Sequence, residues 1–348
     1  YEYRVRAVLG GRESVASTPV LVLTDHTEVV DPVVTVHDPR AVSPGVTIMG
    51  VADSEQMSSL STVMAVDADG NVLWQFESDM ELVTETQPYP DGDLLILKGF
   101  QMVRLTPGGH LQDWIPTMPV HHDVDILPWG NLVALTASGI NTNVPVSVDA
   151  LGSLPGPRTG EAIIEIDVLA RDVVNAIHFD VLVPREDVCM ACLGEELFTH
   201  ADWIHLNAVE YVLEEEALYV SARNLNRIYK LSYPDGEVLW VMGDGGDFGE
   251  GLFDHQHNPT ILRRPTDLAP GRMLLFDNGL HGDPLAPERS RVIEIEYDPS
   301  IPDARIVWEY HGPPAFYSDV MGDASRLPGG NTLVVDTMGQ RVLEVDPQ

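Results

Sequence analysis

The sequence predicts an all-β fold, a six-bladed β-propeller preceded by a short β-strand arm. Two recurring phrases and their spacing carry that expectation. One is a strand-turn-strand phrase that returns along the chain. The other is a Gly- or Asn-bearing hairpin that stands before most copies of the first. Together they make units of four strands, each unit about 40 to 65 residues long, which is the period of propeller blades.

The first phrase reads VMAVDADGNVLW (63–74), MVRLTPGGHLQDW (102–114), AIIEIDV (162–168), IYKLSYPDGEVLW (228–240), VIEIEYDPSIPDARIVW (292–308) and VLEVDP (342–347). Full copies alternate apolar and polar residues, break at Asp, Gly or Pro, and often close on Trp, as half-buried strands joined by a tight turn do. The hairpin phrase reads YPDGDLLIL (89–97), LPWGNLVAL (127–135) and LPGGNTLVV (327–335), with VLEEEALYVSAR (212–223) and RPTDLAPGRMLLFDNG (264–279) as looser versions. Gly and Asn supply the left-handed backbone such turns require.

Six units fit residues 31–348. The last stops at Gln348 before its fourth strand, so DPVVTVHD (31–38) is expected to supply a closing strand and remove two open sheet edges. Residues 1–30 form the arm. The stretch YEYRVRAVLGGRESVASTPVLVLTD resembles the closing hairpin of a fibronectin type III module, and the chain starts on an alternating strand with no visible signal peptide, as a mature or trimmed form would. Long helices are not expected. The largest insertion lies between Asp167 and His205 and is expected to hold a short helix or lid.

Acidic residues number 54 against 20 basic ones, a net charge of -34. Such a chain repels phosphate backbones, which excludes nucleic acid as a partner. Hydrophobic residues at 44% suffice for a core, and no apolar run approaches the roughly 18 residues of a membrane span. The two cysteines, Cys189 and Cys192 in EDVCMACLGE, read as a local disulfide, with a redox pair and half a zinc site as the alternatives. A disulfide fits a periplasmic or extracellular setting. No cofactor is expected. DADG (67–70) and GDGGDFGEG (243–251) carry carboxylates and glycines that can wrap a structural calcium, although Asp-Gly turns are usually only turns.

The histidines fall into the repeat. With Leu127, Tyr211, Ile261 and Leu327 taken as equivalent strand positions, His121, His205, His255 and Met321 stand six residues earlier. Asp123, Asn207, His257 and Asp323 stand four residues earlier. Alternation along a strand would place His255 and His257 on one face. First strands of blades line the channel, so these side chains are expected to converge at one mouth of it, where convergent imidazoles, amides and carboxylates make a ligand or catalytic site. Arg223, in SARN, ends the second strand of the His205 blade and is expected to fold back as an anion clamp.

The phrases HHDVDILPWGN, DWIHLNAVEY followed by SARN, FDHQHNPTIL with LLFDNG, and GDASRLPGGNTLVVD, in that order, resemble the bacterial arylsulfate sulfotransferase family, PAPS-independent enzymes built on a six-bladed propeller. The resemblance covers most of residues 45–348 and implies a transferase that moves a sulfuryl group from a phenolic sulfate to a phenol through a sulfohistidine. By motif it implies His257 as nucleophile, His205, Asn207 and Arg223 as ligands of the sulfuryl oxygens, and His121 as pocket histidine and proton shuttle. His122 falls off the register and is the weaker choice. His255, Asp123 and Asp323 are expected beside the substrate. The partners implied are small molecules, a phenolic sulfate donor and a phenol acceptor.

Two other readings stand beside it. His121, Asp123, His205, His255 and His257 are the donor types of a metal-dependent hydrolase or lyase. A non-catalytic extracellular propeller, binding or scaffolding a partner, is the third.

Overall fold

The structure, a computed structural model, describes residues 2–3, 8–9, 12–13, 20–21, 32–35, 38, 40–52, 61–78, 83–115, 119–137, 160–183, 204–279, 289–313 and 316–347. Six antiparallel sheets of consecutive strands follow one another in the blade pattern of a six-bladed β-propeller, as the repeats predicted. They fall in two compact units, Tyr1–Gly99 with Val103–Trp114, and Phe100–Met102 with Ile115–Gln348.

The first unit holds a three-stranded sheet, Val46–Ala52, Ser61–Asp67 and Val72–Ser78, and a four-stranded one, Val83–Pro88, Leu94–Lys98, Gln101–Leu105 and Leu111–Ile115. These are blades 1 and 2. Val63, Ala65, Trp74, Leu94, Ile96, Val103 and Leu105 share one core. Gly109, at φ 77°, turns directly over Trp74, and a Cβ there would come within 2.6 Å of the indole, so glycine serves both the turn and the close approach. In the N-terminal segment Glu2–Tyr3 pairs with Val20–Leu21, and Val8–Leu9 with Arg12–Glu13. Of the expected closing strand, residues 32–35 and 38 lie in no strand, and 31, 36 and 37 lie outside the described residues.

The second unit holds four blades. Blade 3 runs His121–Ile126, Leu132–Ala137, Glu161–Asp167 and Asp172–His178. Blade 4 runs Leu206–Val212, Ala217–Ala222, Arg227–Ser232 and Val238–Gly243, and blade 5 runs His257–Arg263, Gly271–Asp277, Arg291–Asp298 and Asp303–Tyr310. Blade 6 has three described strands, Asp323–Arg326, Thr332–Asp336 and Arg341–Val345. Second strands such as LVALTA and ALYVSA are almost wholly buried, because sheets cover both of their faces, and so they read as continuous apolar runs. Fourth strands such as DVVNAIH alternate exposed and partly buried, as a blade's outer edge should. Among the described residues the helices are single 3-10 turns, Phe179–Val181, Leu213–Glu215 and Arg223–Leu225.

The three close copies of the hairpin phrase fold into one turn. Leu127 N donates to Asn131 O and Gly130 N to Leu127 O, and Leu327, Asn331 and Gly330 repeat this in blade 6. Tyr89, Asp93 and Gly92 repeat it in blade 2. The carboxylates of the two Asp-Gly turns considered for calcium accept hydrogen bonds from neighbouring amides. Asp67 Oδ1 accepts from Asp69 N at 2.9 Å and Asn71 N at 2.8 Å, while Asp244 and Asp247 accept from Gly251 N, Asn226 Nδ2 and Val241 N.

Side chains sew the first strands of blades 3 to 6 together. Asp123 Oδ2 accepts from Val209 N at 2.6 Å, Asp125 Oδ2 from Tyr211 N at 2.7 Å, and Glu210 Oε2 from Ile261 N at 2.7 Å. Asn207 Nδ2 donates to Gln256 O at 2.8 Å, and Asn258 Nδ2 to Asp323 Oδ1. Adjacent first strands belong to separate sheets and share no backbone ladder, and here carboxylates and amides supply the acceptors and donors between them. Burial raises the pKa of Asp123, Asp125 and Asp323, and takes Glu210 to about 7, against the lowering effect of the N–H donors.

Glu210 therefore holds its proton more tightly folded than unfolded, and its contribution to stability is lost as pH rises from about 4.5 towards about 7. Urea unfolding of wild type and Glu210→Gln across that window should show a shallower decline in the variant, whose amide still accepts from Ile261 N. Glu210→Ala strands that donor and should cost about 1–3 kcal/mol. An unchanged pH slope in Glu210→Gln would contradict the raised proton affinity.

Candidate active site

The site is built where the first strands of blades 3, 4 and 5 begin. Strand alternation does not govern those starts. His122, His205, His255 and Met321 have φ of 60°, 55°, 55° and 59°, a left-handed conformation at the entry of each first strand. Non-glycine residues adopt it at a cost, and it turns the chain sharply from loop into strand. Gly322, which follows Met321 at φ 95°, lies against Phe276 so closely that a Cβ would come within 2.5 Å of the ring.

This conformation revises the register drawn from the sequence. Counting from Leu127 selects His121, but His122 is the residue that shares the left-handed entry with His205 and His255. The pairing register is also irregular between His121 and Val124, as it is between Leu206 and Ala208 and between His257 and Thr260, so spacing alone does not carry the count. His122 also reaches the cluster, with its ring 4.6 Å from that of His205. His121 stands behind it, Nδ1 to Nδ1 at 2.7 Å, with its Nε2 3.8 Å from Glu161. Glu161 in turn accepts Leu206 N at 3.0 Å on both oxygens, so the pair is anchored on the start of blade 4.

Arg223 folds back as expected. Its N–H donates to His205 O at 3.0 Å, which extends the ladder between the first and second strands of blade 4 and sets Arg223 opposite His205. Its side chain is 1% exposed and donates from Nη1 to Asn224 Oδ1 at 2.7 Å and from Nη2 to Asp319 O at 3.0 Å. Its guanidinium charge lowers the proton affinity of both His257 and His122.

His257 opens the first strand of blade 5. Its Nδ1 lies 2.7 Å from Asn278 Oδ1, while Asn278 Nδ2 donates to Ser318 O at 2.7 Å and Met321 O at 2.8 Å. Burial takes the His257 pKa down to about 3, with the Arg223 charge next in size; the Asn278 bond works in the opposite direction and His205 lowers it further. Burial likewise holds His122 well below the ordinary imidazole range, followed by His205, His121, His257 and Arg223. His122, His205, Arg223 and His257 thus act on one another as a single cluster, and both His122 and His257 are neutral at neutral pH.

The remaining candidates do different work. His255 precedes the strand, so the shared face expected for His255 and His257 does not follow from alternation. Its Nδ1 lies 2.5 Å from Asp254 Oδ1, and its buried Nε2 has no hydrogen-bond partner among the described residues. Asn207, Asp123 and Asp323 are interblade bonds, although Asn207 is next but one to His205 and borders the cluster through Gln256 O. Among the described residues no three of His, Cys, Asp or Glu are gathered as a metal-ligand set. Cys189 and Cys192 lie outside the described residues; of the stretch expected to hold a short helix or lid, residues 168–183 carry the fourth strand of blade 3 and the 3-10 turn Phe179–Val181, and 184–203 lie outside the described residues.

Two participants escaped the sequence reading. His122 was set aside because an irregular register cannot be counted from spacing. Asn278 carried a usable signal, since it follows the second strand of blade 5 as Arg223 follows that of blade 4.

The arrangement offers a cation and an imidazole lone pair within one buried cluster, which suits an anionic group undergoing nucleophilic attack. Replacing Arg223 removes the charge that helps keep His257 deprotonated. In Arg223→Met the His257 titration, followed by NMR, should move upward from about 3. An unmoved midpoint would show that burial alone sets it.

One solved structure, a protein of unknown function from Bacteroides caccae, superposes with a TM-score of 0.53 at 11% identity, covering 88% of this chain and 91% of that one. That is a likeness of fold alone. Another, the periplasmic gluconolactonase PpgL of Pseudomonas aeruginosa, gives 0.46 at 13% identity over 87% of this chain and 93% of that one. A search of curated protein sequences returned no match. The arylsulfotransferase (ASST) family model matches residues 32–344, nearly the whole described blade sequence and every residue of the cluster, and the chain belongs to the arylsulfotransferase family.

Proposed function

We propose that the protein transfers a sulfuryl group from a phenolic sulfate ester to a phenol, with His257 as the nucleophile that carries the group between them. Membership of the family supports a sulfotransferase acting on small molecules. The observation that carries the finer reading is the His257 imidazole, whose Nδ1 faces Asn278 Oδ1 and whose pKa is depressed to about 3. Its Nδ1–H is donated to the amide oxygen, so Nε2 keeps its lone pair at neutral pH.

In the first half-reaction Nε2 attacks sulfur, the S–N bond forms, the S–O bond to the aryl group breaks, and the phenolate leaves with the bonding pair. In the second, an acceptor phenol oxygen attacks the same sulfur, the S–N bond breaks, and its pair returns to Nε2. Splitting one displacement in two lets a single pocket serve donor and acceptor in turn. Arg223 and His205 sit beside His257 and supply the donors and charge that the sulfuryl oxygens need as they pass through the transition state.

The leaving phenolate needs a proton and the acceptor phenol must lose one. We assign both transfers to the His121–His122 pair, in place of His121 alone. His122 is neutral in the resting site because burial and cationic neighbours depress it. A bound sulfate ester adds a negative charge and raises the proton affinity of His122, the direction that proton delivery to the leaving group requires.

Incubation with 4-nitrophenyl sulfate and phenol should release nitrophenol and form phenyl sulfate. His257→Ala should lose about 10³-fold or more in kcat/KM. A folded wild-type protein that releases no nitrophenol with any phenolic acceptor would defeat the proposal. Stoichiometric zinc or iron in protein purified without added metal, required for activity, would favour the hydrolase reading instead.

A further inference from the structure

We propose that Asn278 is a positioning residue that fixes the His257 tautomer, and that the loop Ser318–Met321 holds Asn278 and Arg223 in place together. The proposal rests on the reading of His257 as nucleophile, but its geometry stands apart from any substrate.

An asparagine amide can face either way in a hydrogen-bond network, and the surroundings decide which. Here Nδ2 meets two carbonyl oxygens, Ser318 O at 2.7 Å and Met321 O at 2.8 Å. A flipped amide would set its own oxygen against both. The donor end is therefore committed to the loop, and Oδ1 is left facing His257 Nδ1 at 2.7 Å. An amide oxygen only accepts, so the proton of neutral His257 sits on Nδ1 and the lone pair on Nε2. No ionised carboxylate is involved, so the bond orients the ring without holding a second proton on it. The charged and titratable groups facing His257 are Arg223 and His205 from blade 4 and His122 from blade 3.

Beneath Asn278 the polar chain continues without a solvent-exposed link. Ser290 Oγ donates within 3.0 Å of Asn278 O and 3.1 Å of Ser318 O, and accepts Ser318 N at 2.9 Å. Ser318 Oγ donates to Asp336 Oδ1 at 2.9 Å and accepts Met338 N at 3.0 Å. Asn278, Ser290, Ser318 and Asp336 are all fully buried. Asp336 is held by Arg341 of the next strand. The same loop offers Asp319 O to Arg223 Nη2 at 3.0 Å. One short segment of blade 6 thus aims the nucleophile of blade 5 and the guanidinium of blade 4.

The test reads tautomer and titration on the resting full-length chain, then turnover. In protein labelled with 15N-histidine, His257 should appear at neutral pH as the Nδ1–H form; an Nε2–H form overturns the proposal. In Asn278→Asp a carboxylate replaces the amide, and the His257 titration and the acid limb of kcat should both rise by about 1 pH unit or more. A fall in rate with an unmoved titration would mark Asn278 as merely structural and overturn the assignment. Asn278→Leu, checked for native circular dichroism, should lower kcat more than it raises KM and lose the single-tautomer signature. A wild type that turns over no phenolic sulfate would sink the transfer reading while leaving the NMR result to decide this one.

Discussion

The site depends on hydrogen bonds that cross from the first strand of one blade to the first strand of the next. Asp123 to Val209 N, Asp125 to Tyr211 N, Glu210 to Ile261 N and Asn207 to Gln256 O hold blades 3, 4 and 5 in fixed relative height. The imidazoles stand at the entries of those same strands, so a slip by one residue would carry His205 away from both His122 and His257. Each bond ends on a backbone group, which cannot move without its strand, and that makes the alignment stiffer than contact between side chains would. The burial of the carboxylates raises their proton affinity, and this is the energetic cost of the arrangement.

A second constraint is electrostatic. The chain carries a net charge of -34, a poor general attractor of sulfate esters, yet the cluster gathers Arg223, His122, His205 and His257 without a carboxylate among the causes that shift the two strongly perturbed imidazoles. Local charge inside a low-dielectric cluster outweighs a distant surface charge screened by water and salt. The same burial that keeps His257 neutral strengthens its interaction with Arg223. Arg223 and His257 are thus tuned by one environment.

Much of the blade pattern was legible along the chain. LPWGN and LPGGN form one turn in two blades because Gly supplies the left-handed backbone and the closing Asn carbonyl accepts the leucine N–H, a local requirement that any copy of the phrase must meet. LVAL and ALYVSA were marked as strands by the hairpin phrases that contain them. The cluster was legible in part: His205, Arg223 and His257 were found from position within the repeat. The choice between His121 and His122 was not, because the irregularity between His121 and Val124, where three steps of this strand oppose one step of its partner, leaves no mark in the sequence. His255 was misread for a related reason, since its left-handed backbone ends the alternation that pairing it with His257 assumed.

By itself the sequence determined the all-β class, the blade period, the turns and which blades carry titratable residues, because these follow from side-chain periodicity and from backbone conformations set within a few residues. Tertiary structure decided which imidazole enters the cluster, that Asn278 rather than a carboxylate faces the His257 Nδ1, and that the carbonyls of Ser318, Asp319 and Met321 hold the two ends of the machinery. Those are contacts between residues some 20 to 100 positions apart. They arise only when separate blades are brought to the same height, a condition no local pattern encodes.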